Sequence, residues 1–307
     1  MTSDVFSKPG TFYRGNLHTH SDRSDGVLPP QEVCNRYRAN GYDFIALTDH
    51  FIGKFDFPIT DTRDFRQDGF TTILGAEIHS GAMENGELWH LLAVGLPQDF
   101  APPDVQIFKA DKSQESGPAL AQRAVEAGAF VSIAHPQWSG LSMGDALSIE
   151  CAHAVEIYNH GCHVACQRGD GFCTLELMLT AGRRLNLIAT DDAHFTEPDH
   201  FGGWVMVKAE SNSPEALLQS LKDGVFYSSK GPLISDLQWH DDYSLSYECS
   251  PAQSIIVQGQ GSACVTVHGE NMSRGRVKLD RLRDSPWARF TVVDAADRCA
   301  YSNPFWF

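Results

Sequence analysis

From Leu17 to Gly224 the sequence alternates short apolar runs with stretches that carry helix start and stop signals. Phe44-Ile45-Ala46-Leu47 is such a run, as expected of a strand covered on both faces. Pro29-Pro30 opens a helix over Gln31 to Asn40, and Gly41 stops it. Further strands are expected at Leu17 to His20 (the end of the first), Phe70 to Ile78, Trp89 to Leu96, Ala129 to Ala134, Ala154 to Tyr158, Leu185 to Ala189 and Trp204 to Lys208. Helices are expected at Ala119 to Ala127, Phe172 to Ala181 and Pro214 to Lys222. This alternation implies an α/β fold with a parallel sheet and helical crossovers. About seven such strands suit a closed or nearly closed barrel better than an open sheet.

The pattern changes after Gly231-Pro232. Short alternating runs at Ser244 to Glu248, Ser254 to Val257, Cys264 to Val267, Arg276 to Leu279 and Phe290 to Val293 carry no helical period. The expectation is two domains: a barrel over residues 1–232 and a small antiparallel, sandwich-like β domain over 233–307. The apolar tail Pro304-Phe305-Trp306-Phe307 is expected to pack against the body.

Charge narrows the function. The 307 residues hold 24 Lys plus Arg against 39 Asp plus Glu, a formal charge of −15. That balance argues against wrapping duplex nucleic acid or docking on an anionic membrane, and it suits a protein that binds cations. The longest mostly apolar stretch, Leu88 to Leu96, is about half of the ~20 residues of a spanning helix. The start, MTSDVFSKPGTFYRGN, lacks an apolar signal core, so a cytoplasmic location is expected. The eight cysteines form no Cys-x-x-Cys pair and are expected to be reduced thiols. The sequence carries no signal of oligomeric state.

The histidines carry the chemistry. His18-Thr19-His20 follows the first expected strand and Asp49-His50 the second. Glu77 and His79 close the third, His135 closes Phe130 to Ala134, and Asp192-Ala193-His194 follows Leu185 to Thr190. Barrels collect their catalytic groups at this end of the strands. Residues at i and i+2 on a strand share a side, so His18 with His20, and Asp192 with His194, can each meet one ion. Neutral imidazole and carboxylate suit zinc, manganese or iron. A lone His-x-His is common; the ordered recurrence, each time after its own strand, points to metal. His153, His163, His240 and His268 lack this placement and read as surface or packing residues.

These motifs resemble the polymerase-and-histidinol-phosphatase (PHP) superfamily over about residues 13 to 231. Leu17-His18-Thr19-His20 with Ser24-Asp25-Gly26 resembles its first motif, and Leu47-Thr48-Asp49-His50 its second. Glu77 in Gly75-Ala76-Glu77 resembles its bridging carboxylate. His90, His135 in Ala134-His135-Pro136, and Asp192-Ala193-His194 resemble later ligands. Phe226 to Pro232 and Tyr301-Ser302-Asn303-Pro304 are similar to the branch that includes carbaryl hydrolase, which appends a β domain. The resemblance implies a distorted (β/α)7 TIM-like barrel holding two or three divalent ions (Mn, Zn or Fe). It implies His18, His20, Glu77 and Asp192 on the first ion, Glu77, His90 and His135 on the second, and Asp25, His50 and His194 on the third. Asp25 stands where some relatives carry histidine, and an oxygen ligand favours manganese or iron. His79 has no assignment from the resemblance; it can face the site or support it from behind.

The chemistry so implied is hydrolysis by a hydroxide held between two ions, with Glu77 as bridge and Asp192 beside it. His160 or His79 would protonate a leaving group. Arg23 would clamp a phosphate, its alternative being an exposed arginine beside acidic residues. Three functions compete. A metal-dependent phosphoesterase on a small phosphomonoester or phosphodiester leads. A carbamate or carboxylic ester hydrolase on the same centre is the first alternative, and a non-catalytic metal-binding regulatory module the second. Phosphate wants convergent cationic donors, whereas an aryl carbamate wants an apolar wall. The Phe51 to Phe57 loop, with Phe51, Phe55, Phe57 and Lys54, suits either.

Overall fold

A computed structural model describes residues 5–109 and 115–307. Its strands are β1 (Thr11–Asn16), β2 (Phe44–Leu47), β3 (His50–Phe51), β4 (Thr71–Ala82), β5 (Leu88–Val94), β6 (Phe130–Ile133), β7 (Ala154–Asn159), β8 (Asn186–Thr190), β9 (Trp204–Ala209) and β10 (Phe226–Ser229). They are followed by β11 (Ile234–His240), β12 (Ser244–Gly259), β13 (Cys264–Lys278), β14 (Trp287–Val293), β15 (Cys299–Ser302) and β16 (Phe305–Trp306). The helices are α1 (Pro30–Ala39), α2 (Gly117–Glu126), α3 (Pro136–Ser139), α4 (Met143–Ser148), α5 (His160–Cys166), α6 (Phe172–Thr180) and α7 (Pro214–Lys222). The fold is mixed α/β with one large hydrogen-bonded sheet, in the order β11-β12-β14-β15-β10-β9-β1-β2-β4-β5-β6-β7-β8.

The expected parallel sheet is corrected to a mixed one. β1, β2 and β4 run parallel, as do β6, β7 and β8, but β5 lies antiparallel to both β4 and β6. The cause is local. β4 and β5 are joined only by residues 83–87, too short for the dozen or more residues of a parallel crossover. Gly86, at φ +87°, takes the left-handed turn position there. β9 is likewise antiparallel to β1 and to β10. The helices form largely where their caps place them: Ser213 accepts from the Ala216 N–H at 3.2 Å, and α7 runs over the expected residues. The short helices α3, α4 and α5 were not expected, because four to seven residues carry too little periodicity to register.

Apolar residues from many strands meet in shared cores. Phe44, Leu92, Phe130, Ile188, Val205 and Phe226 belong to one buried cluster. Among the described residues β8 has no backbone ladder on its outer side, yet polar groups there are paired. The Leu187 N–H donates to Asn303 Oδ1 at 3.0 Å and the Ala189 N–H to Ser228 Oγ at 3.2 Å. The Ser228 hydroxyl in turn donates to the Leu187 carbonyl at 2.9 Å. Just beyond the strand ends, Thr19 and Ala193 form a parallel bridge, with Asp192 N–H to His18 O at 2.8 Å and His20 N–H to Ala193 O at 2.9 Å. The end of β8 is thereby held against the end of β1, which satisfies backbone groups that burial would otherwise penalise.

The strands after residue 233 join the same ladder through β15, which pairs β10. Buried Arg289 on β14 reaches Glu176 on α6 at 2.9 Å, its guanidinium 4.3 Å from the Phe172 ring centre. Phe305 in the tail is buried against Trp239, while Phe307 stays 60% exposed. All eight cysteines are free. Among the described residues, no helix is long and apolar enough to cross a membrane.

Candidate metal centre

The ends of these strands bring nine expected ligands together. His18 and His20 follow β1; their ring nitrogens Nε2 lie 3.1 and 2.9 Å from Asp192 Oδ1, just after β8. Glu77, fully buried on β4, lies between them and the other side of the site. Its Oε1 is 2.6 Å from His90 Nδ1 and 3.2 Å from His135 Nε2. Its Oε2 is 2.7 Å from His50 Nδ1 and 3.6 Å from both His18 and His20. Asp25 sits 3.4 Å from His50 Nε2 and 3.2 Å from His194 Nε2. β5 delivers His90 despite its reversed direction, because the register sets His90 opposite His79 in mid-strand.

Four sets of ligand atoms each lie within 4.8 Å of one another: His18 with His20 and Asp192; His18 with Glu77 and His135; His20 with Asp25, His50 and His194; and His50 with Glu77, His79 and His90. Second partners aim the rings. His18 Nδ1 faces Glu156 Oε1 at 3.0 Å and His135 Nδ1 faces Ser139 Oγ at 3.0 Å. His194 Nδ1 faces the Asp192 carbonyl at 2.9 Å, and His79 Nδ1 the Trp89 carbonyl at 3.1 Å. A carbonyl or carboxylate holds the proton on Nδ1, so Nε2 offers its lone pair to the shared space.

Burial sharpens the electrostatics. Desolvation alone would raise the Glu77 carboxyl, yet the His50 and His90 imidazoles and the His135 bond hold it well below the usual range. Desolvation works against a charged His50, but Glu77 and Asp25 push it up to about 10. His194, opposed by burial and held by Asp25 and Asp192, rises to about 9. His20 falls to about 4, through burial and then the neighbouring His194 and His50. Burial and then His90 push His79 well below its ordinary value.

The donor set fits divalent metal. It consists of imidazole nitrogen and carboxylate oxygen, the chemistry that zinc, manganese and iron share. His18 Nε2 and Glu77 Oε2 lie 3.6 Å apart and are buried; each has polar neighbours but no hydrogen bond of good geometry, and a cation between them would satisfy both. His135 (φ +23°) and Asp192 (φ +56°) also hold the left-handed backbone conformations that cluster at functional sites.

The cluster floors an open cavity of about 630 Å3, whose other walls include Asn85, Phe108, Trp138 and Arg168. His79 lies behind this floor, 2.9 Å from His50. His160, at the start of α5, pairs with the Tyr158 hydroxyl at 2.9 Å and does not line the cavity. Arg23 lines a separate hollow with Pro29, Pro30, Pro58 and Phe65. Neither joins the ligand cluster. Among the remaining histidines, His153 accepts from the Val131 N–H at 3.0 Å, and His240 and His268 pair with Ser246 and Ser254.

Sequence reasoning missed Glu156. Besides His18 it takes the His135 N–H at 2.7 Å, the Asn159 amide at 2.9 Å and the Thr190 hydroxyl, all buried. The signal was available: one carboxylate inside the apolar run Val155-Glu156-Ile157. Trp138, Phe108 and Arg168 carried no such signal, since each reaches the cavity from a short helix or loop.

A solved structure of a two-domain protein from Bacteroides vulgatus, containing a predicted PHP-like metal-dependent phosphoesterase, is similar over 100% of this chain and 98% of that one, with 15% identity and a TM-score of 0.52. A candidate metal-dependent phosphoesterase from Bifidobacterium adolescentis is 16% identical over 60% of this chain and 89% of its own, with a TM-score of 0.45. An amidohydrolase from Chromobacterium violaceum is 15% identical over the same shares, also with a TM-score of 0.45. No curated protein matches the sequence significantly. Residues 16–129, which supply His18, His20, Asp25, His50, Glu77, His79 and His90 to the cluster, match the family model of the PHP domain.

Proposed function

We propose that the chain is a metal-dependent phosphoesterase acting on small phosphomonoesters or phosphodiesters. The observation that carries this reading is Glu77: one buried carboxylate whose two oxygens face different imidazole groups, as a ligand shared by two ions would. The match of residues 16–129 to the PHP domain supports it. We further read residues 1–232 as a closed barrel, which the bridge between Thr19 and Ala193 supports, and 233–307 as an appended β domain, which the helix-free run of strands β11 to β16 supports.

We assign His18, His20, Glu77 and Asp192 to one ion, Glu77, His90 and His135 to a second, and Asp25, His50 and His194 to a third. Divalent ions held there would supply Lewis acidity toward a phosphoryl oxygen and would acidify water near neutral pH. The protein does the rest. Glu156, Ser139 and the Asp192 and Trp89 carbonyls fix ring orientation, so no reorganisation is needed at the moment of reaction. His79 supports His50 from behind. Arg168, exposed at the cavity wall with no side-chain partner among the described residues, meets the anionic substrate. We give no proton transfer to His160 and no phosphate to Arg23, because neither lines this cavity.

The test is hydrolysis of an aryl phosphodiester and an aryl carbamate, side by side, by manganese-loaded protein with a chelated control. Chelator-sensitive cleavage of the phosphodiester establishes the reading. Cleavage of the carbamate alone replaces it with a carbonyl hydrolase on the same residues. Metal uptake with both esters intact leaves a binding module.

A further inference from the structure

The walls above the ligand cluster differ in chemistry from its floor. Trp138 is 43% exposed and Phe108 40% exposed, although both are large apolar side chains that water does not favour. Each stands directly on the ligands. The Trp138 ring centre lies 4.9 Å from that of His135 and 5.5 Å from that of His90, edge to face in both cases. The Phe108 ring lies 4.7 Å from His50, also edge to face, on a different side of the cluster. Phe108 is backed by Phe55 at 5.8 Å and by the Lys54 ammonium at 5.2 Å. Trp138 belongs to α3, which starts immediately after His135.

Arg168 is the one lysine or arginine on this cavity wall among the described residues. It is placed by Gln167, whose left-handed backbone (φ +59°) ends α5 and sends the Arg168 N–H back to the Cys162 carbonyl at 3.2 Å. The cavity thus offers two aromatic edges or faces for a flat apolar group and a single exposed cation for an anion.

We propose that Trp138 and Phe108 determine specificity by flanking a planar aromatic ring attached to the phosphoryl group, with Arg168 neutralising that group's charge; the assignment rests on the phosphoesterase reading. A flat ring has few internal rotations to lose, and contact with these aromatic side chains would remove their exposed apolar surface from water. An alkyl substituent of the same charge would meet the ligands and Arg168 but gain little from the walls.

Binding tests this without turnover. Phenylphosphonate and methylphosphonate are titrated into manganese-loaded protein by calorimetry. Phenylphosphonate is expected to bind about tenfold tighter, the equivalent of one good aromatic contact. Trp138→Ala is expected to bring the two within about threefold, and Trp138→Phe to restore most of the difference. Arg168→Met is expected to weaken both alike, about tenfold, and to leave their ratio in place. Manganese content by mass spectrometry is expected to be that of wild type in all three variants. Equal binding of the two phosphonates by wild type overturns the proposal, as does an unchanged ratio in Trp138→Ala. If neither phosphonate binds, the phosphoesterase reading fails. Benzoate against acetate then decides the aromatic site alone: preference for benzoate that Trp138→Ala removes upholds it, and equal binding ends it.

Discussion

The Nδ1 atom of His18 lies 3.0 Å from Oε1 of Glu156, and neither residue exposes any surface. Glu156 holds the proton on Nδ1 and so fixes which nitrogen His18 turns toward Asp192 and Glu77. The same carboxylate also grips the backbone of His135 and the side chain of Asn159. One residue without a place in any ligand set therefore aligns two that have one.

Replacing Glu156 with Gln keeps the volume and removes the charge. Manganese affinity is expected to fall about 10- to 100-fold, with the far-ultraviolet spectrum unchanged. Calorimetric titration of the metal-stripped protein measures it. An unchanged affinity would show that His18 is oriented by packing alone.

Glu77→Gln removes the carboxylate that faces imidazoles on both of its oxygens. More than one equivalent of metal is expected to be lost, and phosphodiester turnover to fall at least about a hundredfold. Elemental analysis of the purified variant reads the first effect. Retention of the full wild-type metal content would remove Glu77 from its central position.

Asp25→Asn and His194→Ala touch only the set that includes His20 and His50. Each is expected to cost one equivalent of metal and to spare the remainder. Loss of all metal from either variant would mean that the sets fill as a unit.

The pH dependence follows from three histidines: His18, which, against burial, Asp192 and Glu156 hold well above its ordinary value, and His50 and His194. His50 rises to about 10 and His194 to about 9, in each case against burial and because of Asp25 with Glu77 or Asp192. All three carry protons at pH 7 in metal-free protein, and a ligating imidazole must give its proton up. Metal uptake at pH 7 is expected to release protons, read by calorimetry in buffers of different ionisation enthalpy. Affinity should rise with pH up to about 10. The metal-free fold should behave in the opposite sense. The folded values exceed the unfolded one of 6.5, so the stabilisation is complete below pH 6.5 and is lost as pH rises through about 9 and 10.

Arg289→Met removes the contact of the buried guanidinium to the partly exposed Glu176, and the cation over Phe172, while keeping most of the volume. Denaturant unfolding is expected to show a loss of about 1–3 kcal/mol. No loss would make the contact between β14 and α6 incidental to stability.

The strand-end histidines were legible because a residue's place after an apolar run needs no tertiary information. Phe44 to Leu47 and Pro214 to Lys222 form at the expected residues for the same local reason. Strand direction was not legible: β5 runs against both neighbours because of the five-residue turn at 83–87, and its own apolar run reads the same in either direction. Glu156 was visible as a lone carboxylate in a strand, but its work depends on His18, 138 positions away. The cavity walls were hidden for a similar reason, since Trp138 and Arg168 gain their meaning from what stands across from them.

The side-chain seam along β8 also has a consequence for biosynthesis. Asn303 pairs the Leu187 N–H and also donates to the carbonyls of Gly224 and Phe226. About a hundred residues separate it from His194 in the chain, roughly 5–20 s of translation. Throughout that interval the strand that leads into Asp192 has every candidate ligand already synthesised but one of its edge partners still missing. A nascent chain that met metal in this window would do so before the strand was locked in place.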